Sequence, residues 1–404
     1  MTTGLLAACI ATGLLLQAGV FAAIWFRQWM SRPVAAEHSP VRSIDPELAW
    51  AGWREFGVAG RTYEDPAHTS CSFYLAPVDG KPLPSFKPGQ FLTFSIPIDG
   101  HRALVRCYSL SEEPRTDRYR ITVKRVAAPR GRPELPAGAC SNWFHDRIQV
   151  GDILKVKAPN GRFTIDEAFA GPIVFVAGGI GITPLLCMLK SVLNGKPERS
   201  VYMFYGVRNA REHAFKAVLE DLASHHRSLR LVIAYSAPDA DALPGKDYHH
   251  RGHVDIALLR KELPYGGAQF YVCGPPALMA CMIPALRTWG VPDKDIRYEA
   301  FGPASAQESA ETGGAAAASQ PFQVRWSRSG QTLVWTGEDA NLLSFAERHN
   351  IYVESGCRSG SCGSCETKVV SGTVLYSDEP DHPISPGYCL LCVGRPGSDL
   401  ALEA

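Results

Sequence analysis

The sequence predicts a multi-domain chain in four pieces: an N-terminal transmembrane helix, an antiparallel β-barrel, an α/β domain with a parallel sheet, and a small C-terminal α+β domain. Three observations predict it. An uncharged apolar run occupies Gly4 to Phe26. The patterning then changes near residue 168 from short, closely spaced strands to strands alternating with helices. Residues 304–320 (ASAQESAETGGAAAASQ), poor in bulky apolar groups, cut off the last block as a flexible linker would. A chain of 404 residues exceeds one core, and its 41 Lys and Arg against 40 Asp and Glu argue against nucleic acid as a partner, which calls for a concentrated basic face.

Residues 1–30 read as a membrane anchor. Gly4 to Phe26 has Gln17 as its only amide, and at about 1.5 Å per residue such a run spans the hydrocarbon of a bilayer. Trp25 and Trp29 suit the headgroup level. Arg27 and Arg32 follow the run while no Lys or Arg precedes it, which predicts a single pass through the cytoplasmic membrane with the bulk of the chain in the cytoplasm. A cleaved signal peptide, ending at Val34, Ala35 and Ala36, is the alternative; it lacks the basic n-region and its apolar core is too long. A cytoplasmic setting keeps thiols reduced, so the twelve cysteines are not a disulfide framework. Residues 31–48, with three prolines, read as a linker.

Residues 49–167 hold the β-like runs CSFYL, QFLTFSIPI, LVRCYSL, YRITVKRV and DILKVKAP between Pro, Gly and Asp turns, hence the barrel. Residues 168–303 alternate the strands IVFVAG, SVYMFYG, LRLVIAYS, QFYVCG and IRYEAF with helical stretches such as REHAFKAVLEDLASHH and VDIALLRKEL, hence the parallel sheet. Residues 321–404 open with a hairpin-like pair (QVRWSRSGQTLVW) and one short helix, NLLSFAERHN. They carry six Lys and Arg against ten Asp and Glu, so this block is acidic within a nearly neutral chain.

Cys357, Cys362 and Cys365 are spaced C-x4-C-x2-C, with Cys392 following in LLCVGRP. Four thiolates so spaced match the plant-type [2Fe-2S] pattern. Such a cluster is anionic, and Gly356, Gly360 and Gly363 let backbone N–H groups turn toward its sulfurs. A zinc site is the alternative, but zinc ribbons pair two CxxC units rather than a tight triplet with one distant cysteine. Cys389, three residues before Cys392, leaves open a swap of the fourth ligand.

IVFVAGGIGITPLLCMLKSVL, residues 173–193, reads as a buried strand, a Gly-rich turn and an amphipathic helix. Gly178, Gly179 and Gly181 remove the Cβ atoms that would keep a pyrophosphate from the backbone, with Thr183 as a cap and Pro184 at the first helical position. It is not the G-x-G-x-x-G fingerprint.

The last block resembles plant-type ferredoxin domains over nearly its full length, which implies a β-grasp fold and a one-electron carrier. The glycine loop resembles the GGIGITP loop of the ferredoxin-NADP reductase superfamily, where it cradles a nicotinamide dinucleotide. YVCGPPALM resembles that family's Cys-Gly-Pro turn, which implies that Cys273 lies by the nicotinamide ring with Gly274 and Pro275 beside it. Arg208, in YGVRNAREHAF, is a candidate for a 2′-phosphate, leaving NADH against NADPH open with a leaning to NADH.

A hydride carries two electrons and the cluster accepts one, so a flavin converter is expected between them. Arg106, Cys107, Tyr108 and Ser109 resemble the family's R-x-Y-S flavin motif: an Arg fork for phosphate, an aromatic ring against the flavin and a hydroxyl for its polar edge. Val123 and Lys124 fall where the family contacts the ribityl or adenine side. Gly138, Cys140 and Ser141 resemble its G-x-x-S phosphate turn and point to FAD. Glu299 and Phe301 match the E-x-F near the flavin ring. Cys273, Ser109, Glu299 and Phe301 are thus the expected catalytic residues, with Cys273 aligning the nicotinamide rather than attacking it.

The resemblance covers roughly residues 50–404. It implies a membrane-anchored reductase passing electrons from NADH or NADPH through FAD and [2Fe-2S] to a partner oxygenase, hydroxylase or desaturase. A component of a respiratory NADH:quinone reductase, or a membrane-tethered redox sensor, are the alternatives.

Overall fold

The order of the apolar runs along the chain becomes three sheets in a computed structural model that describes residues 50, 52–98, 103–128, 136–264, 267–301, 321–377, 379–380 and 382–404. The first sheet comprises β1 (Arg54–Tyr63), β2 (Ser70–Pro77), β3 (Phe91–Ile96), β4 (Leu104–Ser109), β5 (Tyr119–Lys124) and β6 (Ile153–Asn160). Their order is β4-β3-β6-β1-β2-β5, antiparallel throughout. Leu110, one residue past β4, bridges Ile121 in β5 and closes the sheet into a barrel. Phe56, Phe73, Phe94 and Tyr119 fill it, together with Phe144 from helix α1 (Ala139–Asp146), which plugs one end.

β1 did not register among the sequence runs. Its segment REFGVAGRTY carries two glycines and a bulge between Val58 and Gly60, so the period-2 alternation that marks a strand is interrupted.

The second sheet is all parallel: β7 (Ile173–Gly178), β8 (Val201–Val207), β9 (Leu229–Tyr235), β10 (His250–Arg251), β11 (Gln269–Gly274) and β12 (Ile296–Ala300), in the order β10-β9-β8-β7-β11-β12. Strands such as IVFVAG are apolar without alternation because helices cover both faces. Helix α2 (Ile182–Gly195) is apolar nearly all round, and the reason is that it is shared. Leu185, Leu186 and Leu189 pack on the parallel sheet, while Cys187 packs into the barrel and its thiol donates to Glu112 O at 3.0 Å.

The expected helix over 211–226 forms only as α3 (Lys216–His225). Residues Ala210–Glu212 make a single 3-10 turn, capped where Asn209 Oδ1 accepts from Glu212 N, and Phe215 then takes a left-handed φ of 61° before α3 begins. Helices α4 (Ile256–Glu262) and α5 (Pro276–Thr288) complete this layer.

The third sheet, β14-β13-β19-β15-β17, uses the hairpin β13 (Phe322–Trp326) and β14 (Gln331–Trp335), then β15 (Glu366–Ser371), β17 (Tyr388–Leu390) and β19 (Leu400–Leu402); β16 (Val374–Tyr376) pairs separately with β18 (Gly394–Pro396). β13 and β19 are parallel and the other pairs antiparallel, with helix α6 (Leu342–Arg348) across one face, the arrangement of a β-grasp. Asn341 caps α6 by accepting from Ser344 N.

One part of the expected fold class is corrected. Among the described residues no helix is long and apolar enough to cross a membrane. The expected span, Gly4 to Phe26, lies outside the described residues, as do the linkers 31–48 and 304–320. The transmembrane helix and the single-pass localisation are therefore unsupported, and association with a membrane is not shown. What stands is a barrel, a parallel α/β sheet and a β-grasp, all within one unit.

Candidate functional site

The parallel sheet reverses its winding between β7 and β11, and a crevice at the carboxyl ends of strands at such a switch point is where open α/β sheets bind ligands. Both sequence-predicted loops arrive there. β7 ends at Gly178, and Gly179–Gly181 form one 3-10 turn leading into α2. β11 ends at Gly274, and Pro275 and Pro276 start α5. The loops touch backbone to backbone. A Cβ on Gly274 would lie 3.0 Å from Gly178 N, one on Gly178 would lie 2.9 Å from Pro275 Cδ, and one on Gly181 would overlap the Cys273 carbonyl. Gly179 differs: its φ is +52°, and a Cβ there would meet nothing within 4 Å, so it faces open space beside the crevice. That cradle fits the pyrophosphate of a dinucleotide.

Thr183 does not cap α2; its hydroxyl donates to Ile180 O at 3.0 Å and stiffens the turn, with Gly181 at the cap position and Pro184 at the third helical position rather than the first. Cys273 is fully buried, and burial, then the nearby Glu299 carboxylate, pushes its thiol well above the ordinary range. It therefore stays protonated and is a poor nucleophile. Cys273 and Glu299 are register partners on β11 and β12, and Phe301 N donates to Gly274 O at 3.1 Å, so the E-x-F segment is tied to the same loop. Arg208, two-fifths exposed, has Nη1 3.9 Å from Glu212 Oε1.

On β4, Arg106 and Tyr108 point to one side and Cys107 and Val105 to the other, as strand pleat requires. Tyr108 packs edge-on against Phe94 and Phe144, with centroids 5.7 and 5.1 Å away, and burial raises its phenol. Arg106 Nη1 donates to Val105 O at 2.7 Å, and Ser109 is buried at the end of the strand. Val123 is buried in β5. Lys124 is held in an ion pair, Nζ to Glu212 Oε2 at 3.0 Å, across to the nucleotide domain.

Ser141 Oγ accepts from Val126 N at 3.2 Å and donates to Gly138 O at 3.1 Å, so it closes the G-x-x-S turn on itself. A Cβ on Gly138 would lie 2.7 Å from that oxygen. Cys140 follows, buried in the barrel core with its thiol raised by burial. The turn leaves the first N–H groups of α1 for an anion, which fits the phosphates of FAD.

The cysteine loop bends through three left-handed residues, Arg358, Gly360 and Gly363, with φ of 58°, 75° and 69°. Arg358 is held there by a two-pronged pair with Glu347 at 2.6 and 2.9 Å. The bend turns backbone N–H groups onto sulfur: Ser361 and Cys362 donate to Cys357 Sγ at 3.3 Å, Cys357 to Cys362 Sγ at 3.2 Å and Cys392 to Cys365 Sγ at 3.4 Å. The thiols associate as two pairs, Cys357 with Cys362 and Cys365 with Cys392. In each pair one sulfur falls below the ordinary thiol range, chiefly through hydrogen bonds from thiols, Cys107 and Cys357 on Cys362 and Cys392 on Cys365.

Among the described residues no three donors converge as they would on a single ion. Two pairs suit a two-iron cluster, with two thiolates per iron. Cys389 shares the hydrophobic core of the β-grasp with Cys365 and Cys392, and burial first, then the nearby Cys365, pushes it up to about 12.

Two contacts had no signal in the sequence motifs. Asn160 Nδ2, at the end of β6, donates to Ser361 O at 2.8 Å. Gly356 presses against Val105, where a Cβ would lie 3.0 Å from Val105 Cγ1. Together they dock the cysteine loop on the β4 side of the barrel.

Fold and site thus define an oxidoreductase that holds a nucleotide crevice, a flavin barrel and a thiolate loop in one unit. The comparisons agree. Residues 81–165 match the family "Oxidoreductase FAD-binding domain", 175–283 "Oxidoreductase NAD-binding domain" and 324–397 "2Fe-2S iron-sulfur cluster binding domain". The structure of phthalate dioxygenase reductase, described as a modular structure for electron transfer from pyridine nucleotides to [2Fe-2S], is 30% identical at a TM-score of 0.52; the match covers 87% of this chain and 98% of that one. The FAD/NAD-binding domain of nitric oxide dioxygenase from Vibrio cholerae is 29% identical at a TM-score of 0.55, over 62% of this chain and all of that one. A flavohemoprotein of Halalkalibacterium halodurans is 39% identical over 63% of this chain and 61% of its own length. The chain spans under two thirds of the curated flavohemoproteins it matches. It belongs to the ferredoxin-NADP reductase superfamily, among the reductases that join FAD, nicotinamide nucleotide and [2Fe-2S] in one chain.

Proposed function

We propose that the chain takes electrons from NADH, passes them through FAD to the [2Fe-2S] centre, and delivers them singly to a partner oxygenase or hydroxylase. FAD, when bound, supplies the conversion from a two-electron donor to a one-electron acceptor. The observation that carries the reading is the placement of β4, whose residues meet the barrel interior on one face and the cysteine loop on the other.

The residues divide the work. Gly178, Gly179, Gly181 and Gly274 let the dinucleotide approach the backbone. Cys273, held as a neutral thiol, supports the nicotinamide, and Glu299 and Phe301 fix its loop. Arg106, Tyr108 and Ser109 orient the flavin, with Gly138 and the turn closed by Ser141 receiving its phosphates. Cys357, Cys362, Cys365 and Cys392 ligate the irons. NADH is favoured over NADPH because Glu212 beside Arg208 opposes a 2′-phosphate. The oxygenase partner is supported by the likeness to phthalate dioxygenase reductase and to the cytochrome P450 reductase of Amycolatopsis, 25% identical at a TM-score of 0.51 over 62% of this chain.

The test is an anaerobic titration with NADH and then NADPH, followed by absorbance and low-temperature EPR. Flavin bleaching followed by a rhombic reduced [2Fe-2S] signal, with NADH the better donor, is the expected result. Bleaching without a cluster signal would overturn the cluster half of the proposal, and no bleaching at all would overturn the whole.

A further inference from the structure

The second residue of the R-C-Y-S stretch is the one that the flavin reading does not use. Cys107 points away from the barrel interior, from the face of β4 that also carries Val105, toward the docked cysteine loop. Its neighbours are specific. Thr93, its register partner on β3, has its hydroxyl 3.4 Å from the Cys107 sulfur. On the other side lies Cys362, one of the four candidate ligands: a Cβ on Gly356 would lie 2.9 Å from the Cys362 sulfur and 3.0 Å from Val105 Cγ1, on the face of β4 that Cys107 shares, and Cys362 is the first cause that raises the Cys107 thiol. The docking is held independently of Cys107 by Asn160 on Ser361 and by Gly356 against Val105.

We propose that Cys107 is a positioning residue of the barrel that donates its S–H to the Cys362 sulfur and raises the reduction potential of the centre. It rests on the cluster reading above.

The direction of the bond follows from chemistry. A ligating Cys362 has given its proton up and is an acceptor only. The one proton left for a bond between the two sulfurs is then that of Cys107. Thr93 completes a relay, its O–H on the Cys107 sulfur and the Cys107 S–H on Cys362. A reduced cluster carries one more negative charge than an oxidised one, so each donor on its sulfurs favours reduction. Most of the other donors on these sulfurs, the Cys357, Ser361, Cys362 and Cys392 amides, come from the cysteine block itself. Cys107 comes from the flavin barrel, so it acts on the centre only while the loop is docked.

The experiment is a potentiometric titration of the FAD- and cluster-loaded full chain, read by EPR, on the parent, Cys107→Ala and Cys107→Ser. The alanine variant should show a potential shifted negative by about tenfold in the reduction equilibrium, equivalent to 59 mV for a one-electron couple. The serine variant, which retains a donor, should sit at or above the parent. Pulsed EPR in heavy water should show an exchangeable proton coupled to the reduced centre in the parent and in Cys107→Ser. If Cys107→Ala fails to load, the serine variant decides alone.

A potential unchanged in alanine, or lowered in serine as much as in alanine, overturns the role of Cys107 while leaving the cluster reading intact. Absence of a reduced [2Fe-2S] signal in the parent overturns the reading beneath it.

Discussion

Gly181→Ala tests whether the contact between the β7 and β11 loops builds the nucleotide crevice. Gly181 has φ near −60°, so alanine meets no backbone penalty there and any effect is steric. Its Cβ would lie 2.6 Å from Gly274 N and closer still to the Cys273 carbonyl, and no side chain is free to give way because both neighbours are backbone. Reaching the 3.4 Å of ordinary contact requires the loops to part by about 0.8 Å at Gly274 N and more at the carbonyl. Overpacking of this kind costs about 1–3 kcal/mol. Misplacement approaching 1 Å costs on the order of 100-fold in a reaction that depends on alignment. Stopped-flow reduction of the flavin by NADH should therefore slow by about 30- to 100-fold, with flavin content unchanged because the close contacts of the new Cβ are with Cys273 and Gly274 of the nucleotide domain. Gly195→Ala, at the far end of α2 with nothing within 4 Å of its Cβ, is the control and should react at the parent rate. A Gly181→Ala protein that reduces its flavin within twofold of the parent would refute the reasoning.

Three further outcomes are expected. Cys392→Ala should lose iron and sulfide on analysis, whereas Cys389→Ala should retain both, with a stability loss of about 1–2 kcal/mol from the buried sulfur it removes; iron retention in both would reopen the choice of fourth ligand. Cys273→Ala should slow flavin reduction about tenfold at full flavin content, and native Cys273 should resist alkylation at pH 8 in a mass-spectrometric assay because burial and Glu299 keep it protonated. His213 is 2% exposed, bonded through Nδ1 to Tyr235 at 2.9 Å, and burial lowers it to about 3. Its folded value lies below its unfolded one, so the unfolded chain binds the proton first: stability is present above about pH 6.5 and declines as pH falls toward 3, by up to about 1.4 kcal/mol per unit. Urea melts across that window should show a shallower acid limb in His213→Gln.

Much of the fold was legible because its signals are local. IVFVAG followed by GGIGITP gives strand, turn and helix in one reading, and the two hydrophobic periods separate barrel from sheet. The cysteine spacing was legible for the same reason, since four ligands of one loop family lie in a fixed order. What escaped was set by distant residues. β1 is a strand because β2 and β6 flank it, and its glycines and bulge hide the alternation. Thr183 has a cap residue's identity, yet the preceding 3-10 turn takes its hydroxyl. Lys124, expected at the flavin, also pairs with Glu212, 88 residues away, a contact that no local pattern announces. The membrane span was drawn from apolarity, the flanking Trp25 and Trp29 and the placement of Arg27 and Arg32, and no helix of that kind is found among the described residues.

A strand with two occupied faces has little room to drift. Along R-C-Y-S a motif scan keeps three letters and treats the second as a wildcard, yet in this chain that letter answers to a different centre from its neighbours. A substitution harmless to flavin loading would surface as an altered division of electrons between the two centres, visible only when both are titrated together. The corollary concerns grafting. Moving this ferredoxin block onto another reductase barrel transfers its ligands but leaves behind the one thiol that the barrel lends it, so a chimera would load normally and still run at the wrong potential.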